Sequence, residues 1–162
     1  MSNIYSYSPT DVLFTVGGYI VTGWDSISIA RGTDGFQTIK GIRGKNTRVR
    51  NLDTSANITI RIIQTSPSND VFSTIHDQDL SRGTGRLSLT LKDTTGQSVF
   101  DSAEAWIVSY PAVVFSGDFE YREWRIFCQS TGNYSVSGNS NPGNSPFSSI
   151  ISGAKDFVSN IF

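Results

Sequence analysis

The sequence predicts a mainly β fold: a β-barrel or sandwich with one short flanking helix, a projecting hairpin and a C-terminal extension carrying a second helix. Three observations predict it. Apolar and polar residues alternate in four segments of strand length. One run is both glycine-rich and basic, in a chain with 15 glycines. Two Ser-Pro pairs each open a stretch whose apolar residues recur at helical spacing.

The strands come first. Val12, Phe14 and Val16 alternate with Leu13 and Thr15, and Gly17-Gly18 then offers a two-residue turn into Tyr19-Ile20-Val21. Ile27 and Ile29 sit among Ser26, Ser28 and Ala30. Ile58, Ile60 and Ile62 alternate with Thr59 and Arg61, and Leu87, Leu89 and Leu91 with Ser88 and Thr90. Each pattern marks a strand with one buried face. Asp93-Thr94-Thr95-Gly96 supplies a turn.

Between the second and third patterns lies RGTDGFQTIKGIRGKNTRVRN, residues 31–51. It holds six cations, Arg31, Lys40, Arg43, Lys45, Arg48 and Arg50, against one acid, Asp34. Its apolar residues are sparse: Phe36, Ile39, Ile42 and Val49. Such a segment cannot bury much of its own surface. It reads as a hairpin arm projecting from the body and ordered against a partner.

ITIRIIQTSPSNDVFSTIHDQD, residues 58–79, changes period at one proline. Ser66 reads as an N-cap with Pro67 in the first helical position, where a missing N–H costs nothing. Asp70 meets the helix dipole favourably. Val71, Phe72 and Ile75 form the predicted inward stripe, and Gly83 and Gly85 are stop signals.

Two later segments, Ala103 to Tyr110 and Phe119 to Cys128, carry apolar groups on both parities. A strand apolar on both faces is covered on both, within its own domain or by another chain. Trp106, Val108, Tyr121, Trp124 and Phe127 are the subunit-interface candidates. The β domain is expected over 1–130. Residues 131–162 read as a Ser/Gly/Asn-rich linker and an amphipathic helix on Phe147, Ile150, Ile151, Ala154, Val158 and Ile161. Its polar face offers only Lys155, beside Asp156, so docking on its own domain or a neighbouring subunit is expected rather than on a membrane.

Composition narrows the function classes. The chain has 162 residues and a net charge of −1, so it is no bulk polyanion binder. It is long enough to bury a core without disulfides or metal. A single cysteine, Cys128, excludes an internal disulfide framework and points to a reducing compartment. No apolar run reaches membrane-span length, and MSNIYSYSPTDV does not read as a signal peptide. His76 beside Asp77 is no dyad, since adjacent helical residues face apart. Glu104, Glu120 and Glu123 could pair as carboxylates, but acids scattered on strands are commonly a solvated face. No nucleophile, phosphate-loop or metal motif is seen, and no cofactor is expected. The basic arm leaves nucleic-acid binding open, although Phe36 is its one aromatic.

The order of elements is strand, glycine-rich basic hairpin, ITIRIIQTSPSNDVFSTIHDQD, then strands closing with FEYREWRIFC. This order resembles the tail tube proteins of contractile-tailed bacteriophages, relatives of type VI secretion and phage-like bacteriocin tubes. The resemblance covers residues 8–130, and TSPSND is its most specific part. It implies hexameric rings stacked into a tube, with inner strands merging into a lumen wall and the hairpin reaching the adjacent ring. It implies tail sheath, tape-measure protein, DNA, baseplate and tail-terminator proteins as partners. It also implies a virion (tail) location after assembly in the host cytoplasm, and no catalysis. Arg31, Phe36, Ile39, Lys40, Ile42, Arg43, Lys45, Arg48 and Arg50 are then the inter-ring contacts. A baseplate tube-initiator or a secretion-tube protein would share these features, and a nucleic-acid-binding β-barrel is the alternative from another class.

Overall fold

The computed structural model describes residues 7–138. After a 3-10 turn, Pro9–Asp11, the chain runs through β1 (Val12–Val16), β2 (Tyr19–Ile20), β3 (Trp24–Arg31), β4 (Phe36–Lys40), β5 (Asn46–Arg50) and β6 (Ala56–Ile63). Helix α1 (Ser68–Arg82), β7 (Leu87–Asp93), β8 (Val99–Ser109), β9 (Tyr121–Ser130) and β10 (Tyr134–Ser135) follow. The main sheet has the order β2-β1-β7-β8-β9-β6-β3, with β10 also on β8. Strands β4 and β5 form a sheet of their own.

The topology dictates how the sheet is rolled. Its two edge strands, β2 and β3, are consecutive in the chain, with only Val21, Thr22 and Gly23 between them. A flat sheet would hold its edges far apart, so this one curls until they meet at a corner. The inward parities then converge on one core: Phe14, Leu89, Phe100, Ile107, Ile126, Ile58, Ile60 and Ile62. The edges do not pair with each other. The result is a rolled, sandwich-like sheet, and the barrel reading holds only to that extent.

The Ser66-Pro67 seam locks this corner. Ser66 Oγ donates to the Thr22 carbonyl (2.6 Å) and accepts from the Ser68 N–H (3.2 Å), but α1 starts one residue later than predicted, so Pro67 is its N-cap, without a side-chain cap bond, and not its first helical residue. Ser68 Oγ accepts from the Thr22 N–H at 3.0 Å. Gly23 has φ +71, and a Cβ there would lie 2.7 Å from Ser66 Cβ, so glycine is required. Asn69 donates through Nδ2 to the Ile63 carbonyl (2.9 Å) and accepts through Oδ1 from Trp124 Nε1 (3.0 Å). One amide thus ties a strand end, a helix and the core.

Three expectations change here. The inward line of α1 is Ser68, Phe72 and His76, at i, i+4 and i+8. Phe72 is core and Ile75 packs against it, but Val71 stays outside the core cluster. His76 lies edge-on to Tyr110, with ring centroids 4.5 Å apart, which supplies an aromatic neighbour that periodicity does not see. Trp124 is corrected from interface to core: it is buried, shares the parity of Ile126 and Cys128, and meets Phe72 edge-to-face at 5.6 Å. The body also continues past residue 130, since β10 pairs with β8 and Tyr134 meets Phe100 edge-on. The helix expected on Phe147 to Ile161 lies outside the described residues.

Candidate assembly surfaces

The sequence-predicted arm is present. Every residue from 31 to 50 is exposed, and β4 pairs with β5 alone. Its turn is closed by Gly41 N–H to the Lys45 carbonyl (2.7 Å) and Gly44 N–H to the Gly41 carbonyl (3.0 Å), with Gly44 at φ +82. Directly paired residues share a face, so the register sorts the side chains. Phe36, Thr38, Lys40, Asn46, Arg48 and Arg50 fall on one face, with the Arg48 guanidinium 4.4 Å from the Phe36 ring centroid. Gln37, Ile39, Thr47 and Val49 fall on the other. The arm is therefore amphipathic, one face cationic and one apolar, and Ile42 crowns the tip fully exposed. Val49 joins Ile39 as a contact candidate; strict alternation through 46–50 carries that signal in the sequence.

Arg31 is not on the arm. It ends β3, pairs with Ala56 and lies over the Tyr134 ring at 5.2 Å. There it belongs to the root, which is pinned by Asp53. The Asp53 carboxylate accepts from the Ser55 N–H (2.9 Å), Ser55 Oγ (3.1 Å) and Thr33 Oγ1 (3.1 Å). The backbone bond from Ser55 leads in holding Asp53 below its ordinary pKa, helped by both hydroxyls and by Arg31.

The strands place a second exposed surface at the other end of the body. Arg31 pairs with Ala56 and Ala56 with Cys128, whereas Trp24 pairs with Ile62 and Ile63 with Tyr121. The arm leaves the first end. The β8–β9 connection, residues 110–120, enters at the second, roughly 23 Å away at about 3.3 Å per residue along β6. That connection exposes Val113, Val114, Phe115 and Phe119. It also carries Asp118 and Glu120, whose carboxylate accepts from Ser116 Oγ at 2.8 Å. A cleft of about 420 Å³ opens between it and the first turn of α1.

The outward face of β8 and β9 holds the remaining interface candidates. Trp106 pairs with Phe127, their ring centroids 5.1 Å apart, and Val108 and Tyr121 are exposed. The structure thus gathers Trp106, Val108, Tyr121 and Phe127 on the outward face and separates Trp124 from them. Among the described residues the one ion pair is Arg61 with Asp25 at 3.3 Å, and no arm cation forms one there.

Glu104 and Glu123 are not brought together. Glu104 lies opposite Ser130 and Glu123 opposite Arg61, towards different ends of β9. Cys128 is fully buried, and burial pushes its thiol up to about 11, which leaves little thiolate near neutral pH.

The rolled antiparallel sheet with its flanking helix is similar in fold to chains of contractile injection systems. A tube-terminating cap of the anti-feeding prophage matches with a TM-score of 0.59 at 13% identity, over 83% of this chain and 95% of that one. A chain of the sheath–tube complex of the PVC extracellular contractile injection system matches with a TM-score of 0.56 at 17% identity, over 82% and 93%. The PVC sheath/tube terminator matches with a TM-score of 0.51 at 16% identity, over 80% and 97%. In sequence, the chain is 32% identical over 148 residues to Structural protein ORF10 of Pseudomonas phage KPP10, covering 82% of this chain and 86% of that protein. The chain belongs to the family of that phage structural protein. No family model matches it.

Proposed function

We propose that this chain is the ring subunit of an inner tail tube: six copies close a ring, rings stack, and the lumen conducts DNA on ejection into the host. The observation that carries the reading is the arm. Phe36, Ile39, Ile42 and Val49 lie exposed on a hairpin that forms a sheet of its own. With six cations against one acid, residues 31–51 are net +5, and the rest of the chain, which totals −1, is net −6. That imbalance favours one copy meeting another, arm to body. Trp106, Val108, Tyr121 and Phe127 would join neighbours within a ring, and the sheath would cover the outside. Tape-measure protein would fill the lumen before DNA, with baseplate and terminator proteins closing the ends. The role is passive, in the virion, and needs no cofactor. The segment on Phe147, Ile150, Ile151, Ala154, Val158 and Ile161 would dock on its own or a neighbouring subunit.

A terminating ring is the second reading, because a cap and a terminator are among the similar structures. A terminator needs one stacking end, whereas this chain has an exposed apolar surface at both. Negative-stain microscopy of the concentrated protein tests both readings. Long tubes with a central hole are expected, and isolated rings would favour the terminator. A monomer by gel filtration that also shifts DNA in a salt-sensitive way would overturn both.

A further inference from the structure

The tube reading leaves open what receives the arm. We infer that the arm tip of one copy seats in the cleft between α1 and the β8–β9 connection of a second copy. The inference rests on the tube reading and adds the receiving surface. Ile42 would enter against Tyr110, Pro111, Val113 and Trp124, and Arg43 would face Asp70.

Three observations carry it. The first is position. Arm and cleft lie at opposite ends of the β3–β6–β9 ladder, and the arm's residues are exposed among the described residues. Two copies related by a shift along that ladder bring the arm of one to the cleft of the other. Such a contact is heterologous and repeats without closing. The second is shape and polarity. The cleft, about 420 Å³, is roomy enough for a hairpin tip rather than one methyl group. Its wall offers the apolar surface that Ile42 lacks. The third is charge. Asp70 lines the cleft and is exposed, and Asp118 and Glu120 lie on the adjoining connection. The opposing cation in the lining, Arg122, has its guanidinium over the Phe115 ring at 5.7 Å. Burying the apolar tip supplies the driving force, and the charges set polarity and register.

Paired cysteines test it on the full chain. Ile42→Cys with Val113→Cys, oxidised at assembling concentration, is expected to give a ladder of covalent oligomers on a denaturing gel. Each copy then offers both halves of a head-to-tail link. Either single variant should give none, since native Cys128 is buried. No ladder while tubes form overturns the seat and leaves the tube reading standing. A ladder without tubes supports the contact and overturns the tube reading. Covalent dimers alone overturn the head-to-tail arrangement. Charge exchange gives an independent readout: Arg43→Glu should lose the sedimentable fraction, and Arg43→Glu with Asp70→Lys should regain it. Failure to regain it in a folded double variant overturns the Arg43–Asp70 pairing.

Discussion

The two ends of the β3–β6 strand pair are built from similar residues and behave in opposite ways. At one end, Ser66 and Ser68 hydrogen-bond the Thr22 backbone, and Asn69 bonds the Ile63 carbonyl and the Trp124 indole. At the other end, Gly32 to Arg50 makes a hairpin of comparable polarity whose residues are all exposed among the described residues. The contrast separates stability from assembly. The seam holds the rolled sheet together within one copy, while the arm adds nothing to that copy's core and has its contacts elsewhere. Substitutions at the seam should change the unfolding transition, and substitutions on the arm should change the assembly state alone.

The largest effect is expected at the core side of the seam. Trp124→Ala empties a buried indole site against Phe72 and should cost about 3–5 kcal/mol, read as a fall in the denaturation midpoint. Gly23→Ala should come next. It forces an alanine to φ +71 and drives its Cβ into Ser66, so a loss of about 1–3 kcal/mol is expected from the backbone alone. Asn69→Leu leaves the Trp124 indole N–H without its acceptor, at about 1–3 kcal/mol. If Asn69→Leu were neutral in urea denaturation, the seam would not be the lock described.

Much of this contrast was legible in the sequence, and the misses have physical causes. Period-2 alternation found Ile58, Ile60 and Ile62 because one face of β6 is buried throughout. The arm was legible because Phe36, Ile39, Ile42 and Val49 are too few and too scattered to make a core. Trp124 was misassigned because β9 also carries Phe127 and Tyr121 on its outer parity, which obscured that Trp124 lies in step with Ile126 and Cys128. Hydrophobicity ranks Val71 above His76 for the inward stripe, whereas packing against Tyr110 accepts an imidazole. The partners of Asn69 and Ser68 are 55 and 46 residues away, and no local pattern announces such pairings.

The smallest effect is expected at the arm's root. The folded pKa of Asp53 is lowered, so its contribution is present above the ordinary value of 3.8 and is lost as pH falls through the depressed one. Between pH 7 and 5 the root should hold, and Asp53→Asn should remove the acid dependence. Amide exchange at Ser55 would report it, and an unchanged acid profile in Asp53→Asn would assign the dependence elsewhere.

The separation itself is tested most directly by one sample measured twice. The double variant Ile42→Asp, Arg43→Glu changes only exposed arm-tip residues. Its unfolding midpoint should match the parent, within about 0.5 kcal/mol for surface sites, while electron micrographs at the same concentration should show no tubes. Tubes of parental length from this variant would contradict the account, as would a lowered unfolding midpoint.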